Sequence, residues 1–185
     1  VRILIEEKLV QPMNKAWLPF LKDFEESGLN PPYDPGLVYS VPFSVGFTGL
    51  AWNKELLPNV AKPISWKDFF ENPTFKNKVT LLDDTKEVIS AALLAQGIDP
   101  SKGENIAKAF PYLKKHKSQL KGFLAETRPT IEGGECGLCM AYSGDVRSIA
   151  KEKSHIEFLF PKEGVTQWSD NFAIPATSTE AELAH

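Results

Sequence analysis

The stretch LLDDTKEV, residues 81–88, places three carboxylates and one lysine where an apolar run ends and a helical pattern begins. Asp84 and Glu87 have the spacing of a capping box, in which the N-cap carboxylate accepts from the N3 amide and the N3 carboxylate reaches back. Asp83 precedes the cap and is expected to be solvated. The same carboxylates could also hold a cation, and their spacing leaves both interpretations open.

A second group of this kind lies in QWSDN, residues 167–171. Asp170 follows Trp168 by two residues on an extended segment, so both side chains are predicted to share one face. A carboxylate attracts an ammonium through charge, and a ring attracts it through its quadrupole. Tyr142 in AYSGD supplies a further ring, although a large ring beside a strand is more often part of the core. This pattern favours a cationic ligand.

The sequence shows no nucleophile–base pair, phosphate loop or metal-ligand cluster. We therefore predict a protein that is not an enzyme and that needs no cofactor or metal. The alternative in the enzyme class is a glycosidase that uses Asp84 or Glu87 with Asp170 as its acid and base.

Cys136 and Cys139 have the CxxC spacing of redox pairs and zinc sites. The surrounding residues are apolar and predict a buried strand, on which residues three apart point to opposite faces. We therefore expect two structural cysteines that are not bonded to each other.

The elements that must position these residues alternate between strand and helix. Strands are predicted at 38–53, 78–83, 120–126, 136–142, 156–164 and 167–175, and helices at 65–73, 86–97, 103–117, 128–134 and 144–153. Residues 14–27 carry a helical pattern broken by Pro19. This alternation predicts an α/β fold with a parallel sheet at its centre. Because ligands of open α/β sheets lie outside the carboxyl ends of strands, the junctions LLDDTKEV, AETRPT, AYSGDV and QWSDN are the predicted site positions.

Composition limits the partners. The chain has 185 residues and a formal net charge of −3, and no basic face is present, so we expect no nucleic-acid partner. No apolar run reaches the roughly 18 residues of a membrane span, and no signal peptide is recognisable. Both ends look like cut ends, so we expect a fragment of a longer protein.

Three segments carry a resemblance: ISWKDFFENPTFKNKVTLLDDTKEV, GGECGLCMAYSGD and FPKEGVTQWSDNFAIPA. In their order and spacing they resemble the periplasmic spermidine/putrescine-binding proteins, which are the substrate-binding subunits of polyamine ABC transporters. The resemblance extends over nearly the whole chain. It implies a type II periplasmic-binding-protein fold with two lobes. Residues 46–168 would form one complete lobe with a mixed, mainly parallel sheet flanked by helices. Residues 1–45 would be a first-lobe remnant with the outgoing crossing strand, and 169–185 the return strand with the start of a first-lobe helix.

The resemblance also implies roles for five side chains. Asp84 and Glu87 match the acidic pair that holds one terminal ammonium of the polyamine. Tyr142 stands where the family usually has Trp and would pack on the methylene chain. Trp168 would line the alkyl groove, and Asp170 would receive an internal or second amine.

Three departures from the family pattern leave the choice between putrescine and spermidine open: Tyr142 for Trp, Val45 where some relatives have Trp, and Lys86 for Arg. The implied function is capture of a polyamine for a membrane ABC permease, in the periplasm or tethered there by a lipid. The alternative is a protein of the same fold for an amino acid derivative, a sugar or ferric iron. Self-association of the truncated chain is also expected, because first-lobe apolar residues would lie uncovered.

Overall fold

The structure is a computed structural model that describes residues 1–124 and 126–184, without the side chains of residues 26 and 27. Strands β1 to β7 are Val10–Gln11, Ser40–Asn53, Val79–Leu82, Leu120–Leu124, Leu138–Tyr142, Ile156–Leu159 and Thr166–Pro175. Helices α1 to α8 are Arg2–Glu6, Glu26–Leu29, Trp66–Glu71, Thr85–Ala95, Ala109–Lys115, Thr127–Glu132, Ser143–Ala150 and Ala181–Ala184. Short 3-10 helices lie at Lys15–Trp17, Pro19–Asp23, Pro73–Phe75, Gly103–Lys108 and Lys117–Gln119.

Most predicted elements have a counterpart in the structure, and the local signals act as expected. The Ser65 hydroxyl caps α3 by accepting from the Asp68 amide at 2.8 Å. Gly97 follows α4 with a φ of +69°, the left-handed conformation that glycine adopts without strain. Strand β2 is a single extended segment of 14 residues despite Pro42 within it.

Prolines divide two of the predicted helices. The 103–117 pattern begins as a 3-10 helix and continues as α5. Pro111 lies in the first turn of α5, where its missing N–H costs no intrahelical hydrogen bond. The 14–27 pattern becomes two 3-10 helices and α2, and Pro19 is the first residue of the second 3-10 helix. QWSDN was predicted to be a junction between a strand and a helix. This prediction is wrong, because the segment lies inside β7.

The chain divides into two compact units. The first contains residues 1–45 and 169–185, and there β1 pairs with β7 antiparallel, with Val10 opposite Pro175. The loop before β2 is held by Asp34, whose buried carboxylate accepts from the amides of residues 38–40 and from the Ser40 hydroxyl. These bonds satisfy a buried charge and fix the start of the crossing strand.

The second unit contains residues 46–168 and a mixed sheet in the order β6-β2-β5-β3-β4. Strand β3 runs parallel to both β4 and β5, whereas β2 runs antiparallel to both β5 and β6. The predicted α/β fold with a mixed sheet is confirmed. Parallel pairs, however, account for only half of these pairings, because the crossing strand enters this unit against the direction of β5.

Both faces of this sheet are covered. On β5, Leu138 and Met140 pack in a cluster with the aromatic residues of α3 and the apolar face of α4. Cys139 and Ala141 point the other way and pack with residues of α6 and α7. Alternate residues thus serve two cores, which explains why the strand sequences are apolar throughout.

The two cysteines are buried and not bonded to each other, as predicted. The geometric reason given for that prediction is wrong. Strand β5 begins at Leu138, so Cys136 lies outside the strand. The alternation of side chains between the two faces of the sheet therefore does not apply to it. The Sγ atoms of Cys136 and Cys139 lie 2.8 Å apart.

Among the described residues, no helix combines the length and the apolar character that a membrane crossing requires.

Candidate functional site

Strand β3 and strand β5 run parallel, so their carboxyl ends meet at one edge of the second unit's sheet. Residues 83 and 84 follow β3, and Tyr142 ends β5. The acidic segment and the tyrosine therefore lie at the same edge of the sheet, where ligands of open α/β sheets bind.

Asp84 is the N-cap of α4. Its Oδ1 accepts from the Lys86 amide at 3.0 Å and from the Glu87 amide at 3.1 Å. Its other oxygen, Oδ2, faces the hydroxyl of Tyr142 at 3.4 Å, the long end of hydrogen-bond distances. Asp84 thus both starts the helix and presents one carboxylate oxygen to the tyrosine.

Glu87 lies in the first turn of α4, three residues after Asp84, and is only 5% exposed. Its Oε2 is buried and has no hydrogen-bond partner among the described residues. A buried carboxylate oxygen without a donor costs free energy, so a helix cap alone does not explain why this side chain is charged and buried.

A second ring packs against Tyr142, which lies beside Asp84. Tyr142 and Trp168 meet edge to face, with ring centroids 5.8 Å apart and planes at 87°. The indole Nε1 of Trp168 is a second buried polar atom without a partner in the described part of the chain. Gly46 makes room for this indole, because a Cβ at that position would lie 2.1 Å from Trp168 Cζ2.

The pKa of Tyr142 reflects its burial and its closeness to the carboxylates of Asp84 and Glu87. Burial, the negative charges of Asp84 and Glu87 and the hydrogen bond to Asp84 raise the pKa of Tyr142 to about 12, with a smaller contribution from Asp145. The phenol is therefore neutral at physiological pH and donates to Asp84. Burial also raises the pKa of Asp145, although the positive charge of Arg128 acts to lower it.

Asp170 belongs to the first unit. Its carboxylate is exposed, and Oδ2 accepts from the Ser44 hydroxyl at 2.8 Å. Four of the five predicted site residues, Asp84, Glu87, Tyr142 and Trp168, thus lie in the second unit. The role assigned to Asp170 stays a prediction.

Two polar residues of this group, Thr48 and Asp145, were not predicted from the sequence. Thr48 on β2 pairs directly with Tyr142, and its hydroxyl is buried without a partner among the described residues. Asp145 lies in the first turn of α7, three residues after Tyr142. A signal for Asp145 existed, since it is part of the AYSGDV junction, whereas a threonine within a long strand carries no distinguishing spacing.

The chemistry open to this group is the binding of a cation next to an apolar chain. Carboxylates accept from ammonium groups, and the aromatic edges and faces pack on methylene groups. The part of the chain that the structure describes contains no cluster of His, Cys, Asp and Glu suited to a metal ion.

Comparison with known proteins identifies the family. The family model of bacterial extracellular solute-binding proteins matches residues 1–185. The chain belongs to this family. It is 36% identical, over 98% of its length, to spermidine/putrescine-binding periplasmic protein 1 of Haemophilus influenzae, and 30% identical, over 97%, to the spermidine/putrescine-binding periplasmic protein of Escherichia coli.

Solved structures show the same fold in this family. An ABC transporter protein of Listeria monocytogenes matches with a TM-score of 0.88 and 25% identity over 99% of this chain and 57% of that one. The spermidine/putrescine ABC transporter substrate-binding protein PotD of Streptococcus pneumoniae matches with a TM-score of 0.81 and 22% identity, again over 99% and 57%. The chain spans about half the length of the curated relatives it matches, 51% and 52% for the two named above.

Proposed function

We propose that this solute-binding chain takes part in capturing a polyamine, putrescine or spermidine, for a membrane ABC permease. The observation that carries the proposal is the buried Oε2 of Glu87, which has no partner among the described residues and lies close enough to Tyr142 for its charge to raise the pKa of that residue. A terminal ammonium offers the donors that this oxygen lacks, and the charge-assisted bond offsets the free energy that its burial costs.

The proposed division of labour follows the chemistry of the ligand. Asp84 Oδ2 and Glu87 Oε2 receive one ammonium, because both are carboxylate oxygens left available by the helix cap. Tyr142 and Trp168 pack on the methylene chain. Asp170, whose carboxylate is exposed, receives a further amine. This last role is supported by the resemblance to the family.

The names of the relatives agree with this ligand class, since the H. influenzae and E. coli proteins are both named as binding spermidine and putrescine. Their names also support a periplasmic location. A lipid tether remains the alternative. The family is one of solute-binding proteins, which supports a role in transport and not in catalysis.

Isothermal titration with putrescine, spermidine, spermine, ferric citrate and maltose tests the solute class. We expect heat of binding with putrescine or spermidine and none with ferric citrate or maltose. Binding of maltose or ferric citrate alone would contradict the polyamine proposal. It would support the alternative, a protein of the same fold that binds another solute. Hydrolysis of a glycoside that is lost in Glu87→Gln would instead support the glycosidase alternative.

A further inference from the structure

The sulfur pair formed by Cys136 and Cys139 is not used by the proposed function. Its Sγ atoms are 2.8 Å apart, and these are the only two cysteines of the chain. A disulfide needs about 2.05 Å between its sulfurs, so bond formation requires an approach of about 0.8 Å. Side-chain rotation can supply a movement of this size.

The backbone around the pair is held from several sides. The amide of Asn53 donates to the carbonyl of Gly137 at 2.8 Å, and Cys139 is paired with Ala51 and with Thr80 in the sheet. Gly137 packs so closely on Leu57 that an added Cβ would lie 2.8 Å from its Cγ. Both cysteines are therefore held near each other by structure that does not depend on a bond between them.

Both thiols are buried, and Cys136, which is 4% exposed, is the one that borders a surface pocket. The pocket has a volume of about 420 Å³ and is also lined by Lys121 and Glu135, whereas Cys139 is 1% exposed and lies behind Cys136 on β5. The hydrogen bond with Cys139 lowers the pKa of Cys136, with help from the charge of Lys121 and against the effects of burial and of Glu135. The same hydrogen bond and burial raise the pKa of Cys139. This asymmetry is that of an attacking and a resolving thiol.

We propose that Cys136 and Cys139 are a redox modification site that closes to an intramolecular disulfide by exchange with a small disulfide. The Cys136 thiolate attacks one sulfur of the external disulfide RSSR, which forms a mixed disulfide and releases one thiolate RS⁻. Cys139, after losing its proton to solvent, attacks the Sγ of Cys136 and releases the second RS⁻. The two cysteines lose two electrons and two protons in total, and RSSR becomes two RSH.

This inference is independent of the proposed function, since it uses neither the carboxylates nor the rings of the candidate polyamine site. Oxidising extracytoplasmic compartments, in which the named relatives act, are places where such bonds form and persist. Failure of polyamine binding would leave the redox proposal unaffected, and the converse also holds.

Mass spectrometry of the folded 185-residue chain with 2-hydroxyethyl disulfide tests the proposal. We expect the intact mass to fall by two hydrogen atoms and both thiols to become unreactive to a thiol reagent after unfolding. Proteolysis should yield a peptide that joins Cys136 and Cys139, and dithiothreitol should restore both thiols. Retention of both thiols by the folded chain under conditions that oxidise the unfolded chain would overturn the proposal.

Matched alanine variants test the order of attack. Cys139→Ala should accumulate the mixed disulfide on Cys136, because the resolving thiol is absent. Cys136→Ala should form little or no adduct, because the remaining thiol is buried and has a raised pKa. Equal adduct on both variants, with circular dichroism showing both folded, would contradict the assigned roles. If either variant fails to fold, the peptide map of the unsubstituted chain still decides whether the bond forms.

Discussion

Asp84 and Glu87 are carboxylates of the same helical turn, yet their surroundings differ. Asp84 accepts two backbone amides and a tyrosine hydroxyl, so its charge is compensated by the fold. Glu87 is 5% exposed with one oxygen lacking any donor among the described residues. The helix cap thus accounts for Asp84, which would share the ammonium through Oδ2, but it does not account for the burial of Glu87.

The first prediction is that Glu87→Gln stabilises the unliganded protein. Replacing a buried, unpaired charge with a neutral group of the same shape removes a desolvation cost of about 1–3 kcal/mol. Urea unfolding followed by circular dichroism measures the change in the free energy of unfolding. The control is Asp83→Asn at the neighbouring exposed carboxylate, which should change it by less than about 0.5 kcal/mol. A destabilised Glu87→Gln variant would show that the fold itself requires this charge.

The second prediction concerns the pH dependence that Tyr142 creates. Its folded pKa of about 12 lies above the ordinary value near 10, so the folded state resists ionisation that the unfolded chain allows. The contribution to stability is complete below pH 10 and is lost as the pH rises through 12.

Urea unfolding of the unsubstituted chain and Tyr142→Phe at pH 8, 10 and 11.5 measures this contribution. The free energy of unfolding should fall more steeply with pH in the chain that retains the hydroxyl. Parallel pH profiles for the two proteins would contradict the assigned environment of Tyr142.

The sequence could predict the types and spacing of these residues but not their burial. The Asp84 cap was predictable, because N-cap preference and the i to i+3 spacing are local properties. Whether Glu87 is exposed or buried depends on which strand lies next to β3, and this is set by long-range pairing. The unpartnered hydroxyl of Thr48 was not predictable for the same reason.

At the scale of elements, the site depends on how closely the crossing strand approaches the tryptophan of β7. Gly46 begins the part of β2 that belongs to the second unit, and the indole of Trp168 occupies the space where its Cβ would stand. A glycine is therefore required here by a close approach and not by an unusual φ.

The third prediction is that Gly46→Ala displaces this indole. Overpacking of this kind costs about 1–3 kcal/mol, and the Tyr142–Trp168 contact should be disturbed. Urea unfolding and tryptophan fluorescence measure the two effects. Gly122→Ala in β4 is the matched control, because an added Cβ there meets nothing within 4 Å. An unchanged Trp168 environment in Gly46→Ala would contradict the described packing.

The alternation of strands and helices was predictable from periodicity and from turn residues, and it gave the right fold class. The directions of the strands were less accessible. The sequence of β2 predicts one extended apolar segment. It carries no signal that indicates the antiparallel pairing with β5. Likewise, the CxxC pair was misjudged because the strand was predicted to begin two residues before Leu138.

At the scale of the whole molecule, the chain contains two units with separate properties. The second unit buries apolar side chains on both faces of its sheet. The first unit exposes large apolar side chains, among them Phe43 at 68% and Phe172 at 59%, whose rings lie 4.8 Å apart. An exposed aromatic pair of this kind favours association with another surface.

The fourth prediction is that the 185-residue chain self-associates through this pair. Sedimentation velocity over a concentration series should show a species heavier than the monomer. Phe43→Ser should reduce it, whereas Phe123→Ser, at a position 63% exposed in the second unit, should not. A chain that stays monomeric at every concentration would contradict this prediction.

The proposed function requires that Glu87 receives an ammonium group of a polyamine. Isothermal titration of spermidine into the protein, into Glu87→Gln and into Asp83→Asn tests it most directly. A charge-assisted hydrogen bond contributes about 1.5–3 kcal/mol, so Glu87→Gln should weaken binding by roughly 10- to 150-fold, while Asp83→Asn should leave it within about threefold. Equal affinities of the protein and Glu87→Gln, with both folded, would contradict the claim.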